Sequence, residues 1–351
     1  MLYFLVAMVD LLLLYQMYKE FRLYRNSHGR PSKSTVIVPL RGDEPALSMN
    51  VESLKNQNHG DYRLLYVVDH DEAEKQSIKL KPMGVSVVES EELCNKCSGK
   101  VKAIITGIKH SDGNIVVADS DTIYPEHWLS DMTSMLDIYP VVTVFSWPYP
   151  LRLSARNLMR AGFWTLGFES QAIGGRFLWG GSMAFRKGEI DDSVIDELKV
   201  EWCDDCALTR ISKERGWRMG YEAHAMPLNA FDEMNLTSWA SRQAKLMLKY
   251  SRRGVYAFLS VALVMALFIV LFALTLNWFL LTPFALWVIK NLLRGRAYGM
   301  LAILPSLMSV PAIFFAIFML VTGARSRSIQ WRDREYFVDE SKINNQNFYK
   351  R

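Results

Sequence analysis

A chain of 351 residues has room for one large domain or two smaller ones, and half of it is hydrophobic, which is high for a soluble protein with 22% charged residues. The formal net charge is +5. The basic residues cluster beside apolar segments, as suits anionic lipid headgroups, and no zinc-finger, helix-turn-helix or RNA-binding signature accompanies them, which sets nucleic-acid binding aside. Four cysteines form two CxxC pairs, Cys94/Cys97 and Cys203/Cys206. That spacing invites a zinc reading, but the gap between the pairs is long for a compact ribbon and the second pair brackets Asp204-Asp205. Free thiols in a reducing compartment are the plainer expectation.

In chain order, residues 2–15 are apolar except for Asp10, and Lys19, Arg22, Arg25, Arg30 and Lys33 follow. A secretory signal would carry its charge before the apolar core, so residues 1–18 read as an uncleaved anchor with its basic side in the cytoplasm. The run is short of the ~20 residues of a full span, which leaves a tilted or interfacial helix open. Residues 34–250 read as a globular domain. Strands are predicted at 35–39, 63–69, 85–88 and 115–121, with helices at 47–57 and 103–110 between them. This alternation indicates βαβ units and a mostly parallel sheet.

Beyond residue 139 the pattern changes. A strand is predicted at 141–147, an aromatic helix at 157–168, a glycine turn feeding a short strand at 179–185, and helices at 205–215 and 239–250. Residues 254–323 form the membrane part, with candidate spans at 255–276, 278–293 and 300–321. Arg252 and Arg253 precede the first and Arg294 and Arg296 follow the second, which makes a hairpin returning to the cytoplasm. Arg325, Arg327, Arg332 and Arg334 place the tail, 324–351, inside as well. A third segment that kinks or re-enters at Pro305 and Pro311 would reconcile the two.

The chemistry sits at strand ends. The run Asn114-Ile115-Val116-Val117-Ala118 suits a strand buried on both faces, yet it ends in Asp119-Ser120-Asp121. Two close carboxylates raise each other's pKa unless a cation lies between them, and Mg²⁺ or Mn²⁺ with phosphate oxygens meets that need. The alternative is a solvated acidic turn. Asp69 ends another strand, and Asp204-Asp205 open a helix; ligands of open α/β sheets bind at such edges.

This order resembles the inverting GT-A-fold glycosyltransferases, and within them the ceramide glucosyltransferase-like membrane enzymes, from residue 36 to about 336. Val36-Ile37-Val38-Pro39 with Arg41-Gly42 and Glu44-Pro45 is similar to the family's opening strand and loop. Val67-Val68-Asp69, Gly99-Lys100-Val101, Asp119-Ser120-Asp121, Trp179-Gly180-Gly181-Ser182, Asp204-Asp205 and Ile329-Gln330-Trp331 match its later motifs in order. Arg242-Gln243-Ala244-Lys245-Leu246 departs from the family's (Gln/Arg)-x-x-Arg-Trp, with Lys for the second Arg and no Trp. That lowers the case for a processive synthase and puts the helix's diphosphate contact in question, since Lys is a point charge and not a fork.

The resemblance implies an α/β GT-A domain that moves a sugar from a nucleotide-sugar, expected to be a UDP-sugar, to a lipid hydroxyl. Pro39, Arg41, Glu44, Asp69, Lys100, Ser120, Arg242 and Lys245 would bind donor. Asp119 and Asp121 would hold the metal, and Trp179, Gly180, Gly181 and Ser182 would face the acceptor. Asp205 is the candidate base, with Asp204 shaping its field, and one base opposite the leaving group implies inversion. Trp147, Trp164 and Trp179 are expected along the acceptor's approach from the membrane lipids. Blander roles stand beside these: Asp69 as an N-cap, Asp204-Asp205 as favouring a helix dipole, Arg242 and Lys245 as snorkelling residues, Lys100 as a solvated lysine, and 179–182 as a ligand-free turn. The rival functions are a polysaccharide synthase, a nucleotidyltransferase and a non-catalytic membrane scaffold.

Overall fold

The apolar, β-branched runs enter one sheet. In the computed structural model, which describes residues 2–24, 29–91, 93–94, 97–169, 177–323, 328–331 and 334–337, the chain divides into two units. One comprises Phe21–Trp147 and Gln171–Phe231, and the other Met1–Glu20, Pro148–Ser170 and Asp232–Arg351.

The first unit is built on β1 (Ser34–Leu40), β2 (Tyr62–Val68), β3 (Ser86–Glu89), β4 (Asn114–Ala118), β6 (Val141–Thr143), β8 (Ser182–Phe185) and β9 (Met219–Tyr221), in the order β3-β2-β1-β4-β8-β6-β9. Only β8 runs against its neighbours, β4 and β6. Every residue of β4 is buried, as expected of a strand covered on both faces. Helices Leu47–Lys55, Ala73–Leu80, Gly99–Lys109, Trp128–Ser134, Asp192–Leu198 and Asp204–Glu214 alternate with the strands. One core joins Ile37, Leu65, Val117, Ile104, Met183 and Leu208 from both.

Register sets the site. Leu40 pairs with Val68, and Asp69 N–H donates to Leu40 O at 3.3 Å. Ala118 pairs with Ser182. Asp69 and Asp119 therefore leave the same edge of the sheet, and the glycine turn before β8 lies against Asp119. β5 (Thr122–Ile123), which pairs with β10 (Leu228–Phe231) in a second, three-stranded sheet, follows the acidic turn, and Ala230 N–H donates to Asp121 O at 2.8 Å. The strand expected over 141–147 is two pieces. Sheet pairing ends at Thr143, whose hydroxyl turns to Ser182 O, and the chain resumes as β7 (Trp147–Pro150) after three buried residues.

The second unit holds helices Leu2–Leu23 (as far as Glu20), Ala155–Thr165, Leu236–Tyr250, Arg252–Thr275, Thr282–Arg294 and Ile303–Gly323. Among the described residues three stretches are long and apolar enough to cross a membrane: Leu2–Leu23, Arg252–Thr275 and Arg296–Thr322. The span expected at 278–293 divides into a 3-10 turn, Trp278–Leu281, and the 13-residue helix Thr282–Arg294. Its Lys290, Asn291 and Arg294 are buried. Asn291 donates to Trp287 O and Ser309 Oγ and accepts from Arg294, while the partners of Lys290 and Arg294 lie on the first helix and on Glu169. Along the first helix Asn277 Nδ2 donates to the Tyr3 hydroxyl (3.1 Å), Thr282 to Asp10 (2.7 Å), Lys290 to Gln16 (2.7 Å) and Arg294 Nε to Glu20 (2.7 Å). The separations in sequence are 274, 272, 274 and 274 residues, so the two segments run side by side and parallel. Glu169 also accepts from Lys290 and Arg294 at 3.0 and 2.8 Å. Each buried cation thus has a carboxylate, as burial demands.

In the segment read as a tail, β11 (Ser328–Trp331) and β12 (Arg334–Phe337) form an antiparallel hairpin. Arg325, Arg327, Arg332 and residues 338–351 lie outside the described residues.

Candidate active site

The Gly99–Lys109 helix begins with Ser98, whose hydroxyl accepts from Val101 N–H at 3.2 Å as an N-cap. That cap sets Lys100 in the first turn. The Lys100 ammonium lies 2.8 Å from Asp119 Oδ1, 3.0 Å from Asp204 Oδ2 and 3.3 Å from Gly180 O. One cation therefore ties the end of β4, the head of the Asp204–Glu214 helix and the glycine turn together. On its own, burial would lower the Lys100 pKa; Asp119, Asp204 and Asp205 outweigh it and hold the ammonium charged.

Asp205 is held by the same turn. Gly180 N–H donates to its Oδ2 at 3.1 Å, and Cys203 Sγ lies 3.0 Å from its Oδ1. Burial, then the charge of Asp204, push the Asp205 carboxyl up to about 7, against the opposing pull of Lys100 and Gly180 N–H. The two glycines are required by close approach. A Cβ at Gly180 would stand 2.8 Å from Asp204 Oδ2 and 2.9 Å from Lys100 Nζ, and one at Gly181 would stand 2.7 Å from Asp119 Oδ2 and strike the Trp179 ring.

The acidic turn has its own scaffold. Asn50, fully buried, donates through Nδ2 to Asp119 O (3.0 Å) and Thr122 O (2.6 Å), and its Oδ1 accepts from Tyr66 OH at 2.6 Å. Tyr124 OH accepts from Asp119 N–H at 2.8 Å and donates to Gly181 O at 2.6 Å. Thr143 Oγ1 donates to Ser182 O and accepts from Trp179 N–H. Sequence reasoning missed Asn50, Tyr66, Tyr124 and Thr143, which carry no motif.

Of the residues expected at the site, Lys100, Asp119, Gly180, Gly181, Asp204 and Asp205 come together. Ser120 is buried in the acidic turn, and the Asp121 carboxylate accepts from Thr122 Oγ1 at 3.2 Å. Arg41 and Asp69 pair at 2.5 Å along the same sheet edge, next to the loop holding Glu44 and the half-buried Pro39. Gly42 N–H donates to Glu72 there. Ser182 is not open to a ligand, because its fully buried hydroxyl accepts from Trp128 Nε1 at 2.8 Å. Trp147 is buried too and lines no approach; Trp179 is buried edge-on against Phe145. Trp164, Arg242 and Lys245 belong to the other unit, the latter two half-buried on Leu236–Tyr250. The cysteines, expected as free thiols, are joined within each pair, Cys94 to Cys97 and Cys203 to Cys206.

Asp119 and Asp121 offer hard oxygen ligands, and the second oxygen of Asp119 points at the glycine turn rather than at Lys100. That donor set fits Mg²⁺ or Mn²⁺, with substrate phosphate oxygens completing the shell.

The profile of the family described as glycosyl transferase family 21 matches residues 2–343. Among solved structures, a mannosyltransferase from Pyrobaculum calidifontis in complex with GDP-Man and Mn²⁺ superposes with a TM-score of 0.51 at 13% identity, covering 93% of this chain and 99% of the other. At that identity the likeness speaks for the fold, which is GT-A. No curated protein matches the chain.

Proposed function

The chain belongs to glycosyl transferase family 21 and is a glycosyltransferase of GT-A fold, and from that premise we propose that it moves one sugar, with inversion, from a UDP-sugar to the hydroxyl of a membrane lipid. The observation that carries the reading is Lys100, whose ammonium joins the metal-side carboxylate Asp119 to the base-side pair Asp204-Asp205. In this reading donor activation and proton removal share one glycine turn.

A hydroxyl is a poor nucleophile until a base takes its proton, and a carboxyl titrating near neutrality is suited to that task. Asp205, pushed up to about 7, is the base. Gly180 N–H orients its Oδ2, and Asp204 and Lys100 set the field in which it titrates. Lys100 offers its charge to the diphosphate leaving group. A divalent cation on Asp119 and Asp121 would neutralise the charge developing on that diphosphate. Asp69 accepts hydrogen bonds from the nucleotide's base or ribose, and Arg41 holds it in place. Trp179, Gly180 and Gly181 shape the acceptor side.

The lipid acceptor is supported by the three apolar helices carried on the same chain. The basic residues Lys19, Arg22, Arg252 and Arg253 at their ends favour a catalytic unit on the cytoplasmic side, where nucleotide sugars are. The solved mannosyltransferase binds GDP-Man, so the test spans both donor classes. Membranes holding the protein are given radiolabelled UDP- and GDP-sugars with total membrane lipid, with and without Mn²⁺. A labelled lipid, dependent on Mn²⁺ and lost in Asp205→Asn, is expected. Equal product from Asp205→Asn would remove the base assignment, and label in a lipid with GDP-sugars alone would overturn the UDP preference.

A further inference from the structure

Cys203 stands at the N-cap of the Asp204–Glu214 helix, but its side chain caps no backbone N–H. Its sulfur lies 3.0 Å from Asp205 Oδ1 instead. Cys203, Asp205 and Cys206 bring their polar side-chain atoms within 4.8 Å of one another, and Cys203 is joined to Cys206. These facts have opposite meanings in the two states of the pair. A thiol has a proton to give, and Cys203 S–H would donate to Oδ1 while Gly180 N–H donates to Oδ2, so that both carboxylate oxygens are held. A disulfide sulfur has only lone pairs to set against that oxygen, and the carboxylate loses a donor while keeping its neighbours.

We propose that Cys203 is a positioning residue for Asp205, and that thiol–disulfide exchange at the Cys203–Cys206 pair switches its hydrogen bond to the base on and off. The inference rests on Asp205 being the base. Reduction consumes two small-molecule thiols. The Cys203–Cys206 S–S bond breaks, each sulfur gains a proton, and one small-molecule disulfide leaves; oxidation is the reverse. The other groups facing Asp205 are Asp204 on its own helix, Lys100 on the Gly99–Lys109 helix, Asp119 beyond β4 and Gly180 N–H on the turn. None of these changes with the redox state, so the pair acts on the base alone. A hydrogen bond to the charged form favours it, and the reduced protein keeps its base ionised to lower pH. The second pair, Cys94–Cys97, is an internal control.

The test uses the full chain in detergent micelles, treated with reduced or oxidised dithiothreitol, with thiols counted by alkylation and mass spectrometry. Rates of transfer from the labelled donor to total membrane lipid are taken against pH. The acid limb of the reduced protein is expected about one pH unit below that of the oxidised protein, an about tenfold rate difference at the foot of the limb. Cys206→Ala should follow the reduced profile in both treatments. Cys203→Ser, which keeps a donor, should do so too, and Cys203→Ala should follow the oxidised one. A Cys94→Ala/Cys97→Ala variant should still respond. Coincident limbs in two samples whose thiol counts differ would overturn the proposal. A readout free of activity separates it from the function: with Cys206→Ala as background, Asp205→Asn should speed iodoacetamide alkylation of Cys203 about tenfold near neutrality, because the carboxylate no longer opposes the thiolate. An unchanged alkylation rate would deny the contact itself, whereas transfer surviving in Asp205→Asn would deny the base and leave the contact standing.

Discussion

Replacing Lys100 by Met removes the cation set against Asp119, Asp204 and Asp205 while keeping a side chain of similar length. Its ammonium sits at 2.8 Å from Asp119 and 3.0 Å from Asp204, and its side chain is 16% exposed. Taking one partner from a buried ion pair costs about 3–5 kcal/mol, and the remaining exposure puts Lys100→Met near about 3 kcal/mol. Part of that loss returns when a divalent cation takes up the Asp119 charge. The kinetic effect has a distinct signature. Lys100 pulls the Asp205 pKa down, so its removal moves the acid limb of the rate upward and leaves the base protonated at neutral pH. With the lost electrostatic contact to the leaving group, about a hundredfold fall at pH 7 is expected, equivalent to about 2.7 kcal/mol. Transfer rates measured from roughly pH 6 to 9 with Mn²⁺ check this, since part of the loss should be recovered at the alkaline end. A variant within about threefold of the parent, with an unmoved acid limb, would refute the reasoning.

Four further outcomes follow from the same geometry. Because burial raises the Asp205 pKa to about 7, its share of stability is present below the unfolded value near 4 and lost as pH rises through about 7; Asp205→Asn should therefore raise the thermal midpoint at pH 8 more than at pH 5, with about 4 kcal/mol as the upper figure. Gly180→Ala should cut the transfer rate about a hundredfold with a stability cost of about 1–3 kcal/mol, since its methyl group would press on Asp204 and Lys100; kinetics and thermal unfolding of one sample separate the two. Asn50→Leu should cost about 3 kcal/mol by stranding Tyr66 OH and two carbonyls, and should weaken Mn²⁺ activation, read as a higher Mn²⁺ concentration at half-maximal rate. Chelation of divalent cations should abolish transfer, and Asp119→Asn should not be rescued by Mn²⁺ at concentrations that saturate the parent.

The sheet and the acidic residues were legible because they carry pattern. An apolar run ending in Asp119-Ser120-Asp121 stands out once Asp204-Asp205 opens a helix downstream. What holds those residues did not show. Asn50, Tyr66 and Tyr124 look like ordinary core or loop letters until the fold brings Asn50 to Asp119 and Thr122, about 70 positions away. Cys203 read as half of a CxxC, and its place beside Asp205 Oδ1 is a matter of side-chain direction that spacing does not encode. Ser182 and Trp147 were misread for a related reason: a motif names the segment, but burial decides which of its side chains face a ligand. The span expected at 278–293 was counted by hydropathy, which registers Lys290 and the adjoining Arg294 as interruptions and is blind to their partners Gln16 and Glu20 on the first helix.

The pairing of Leu2–Leu23 with the segment from Asn277 to Arg294 also sets a timetable for synthesis. Asp10, Gln16 and Glu20 leave the ribosome about 272–274 residues ahead of Thr282, Lys290 and Arg294. At about 5–20 residues per second that is a wait of about 14–55 s. Throughout it, the least apolar of the three candidate spans keeps its polar side chains in or beside the bilayer without the groups that later satisfy them. The Leu2–Leu23 helix is thus made early and satisfied late, and a nascent chain halted anywhere before Thr282 leaves Asp10, Gln16 and Glu20 without those partners.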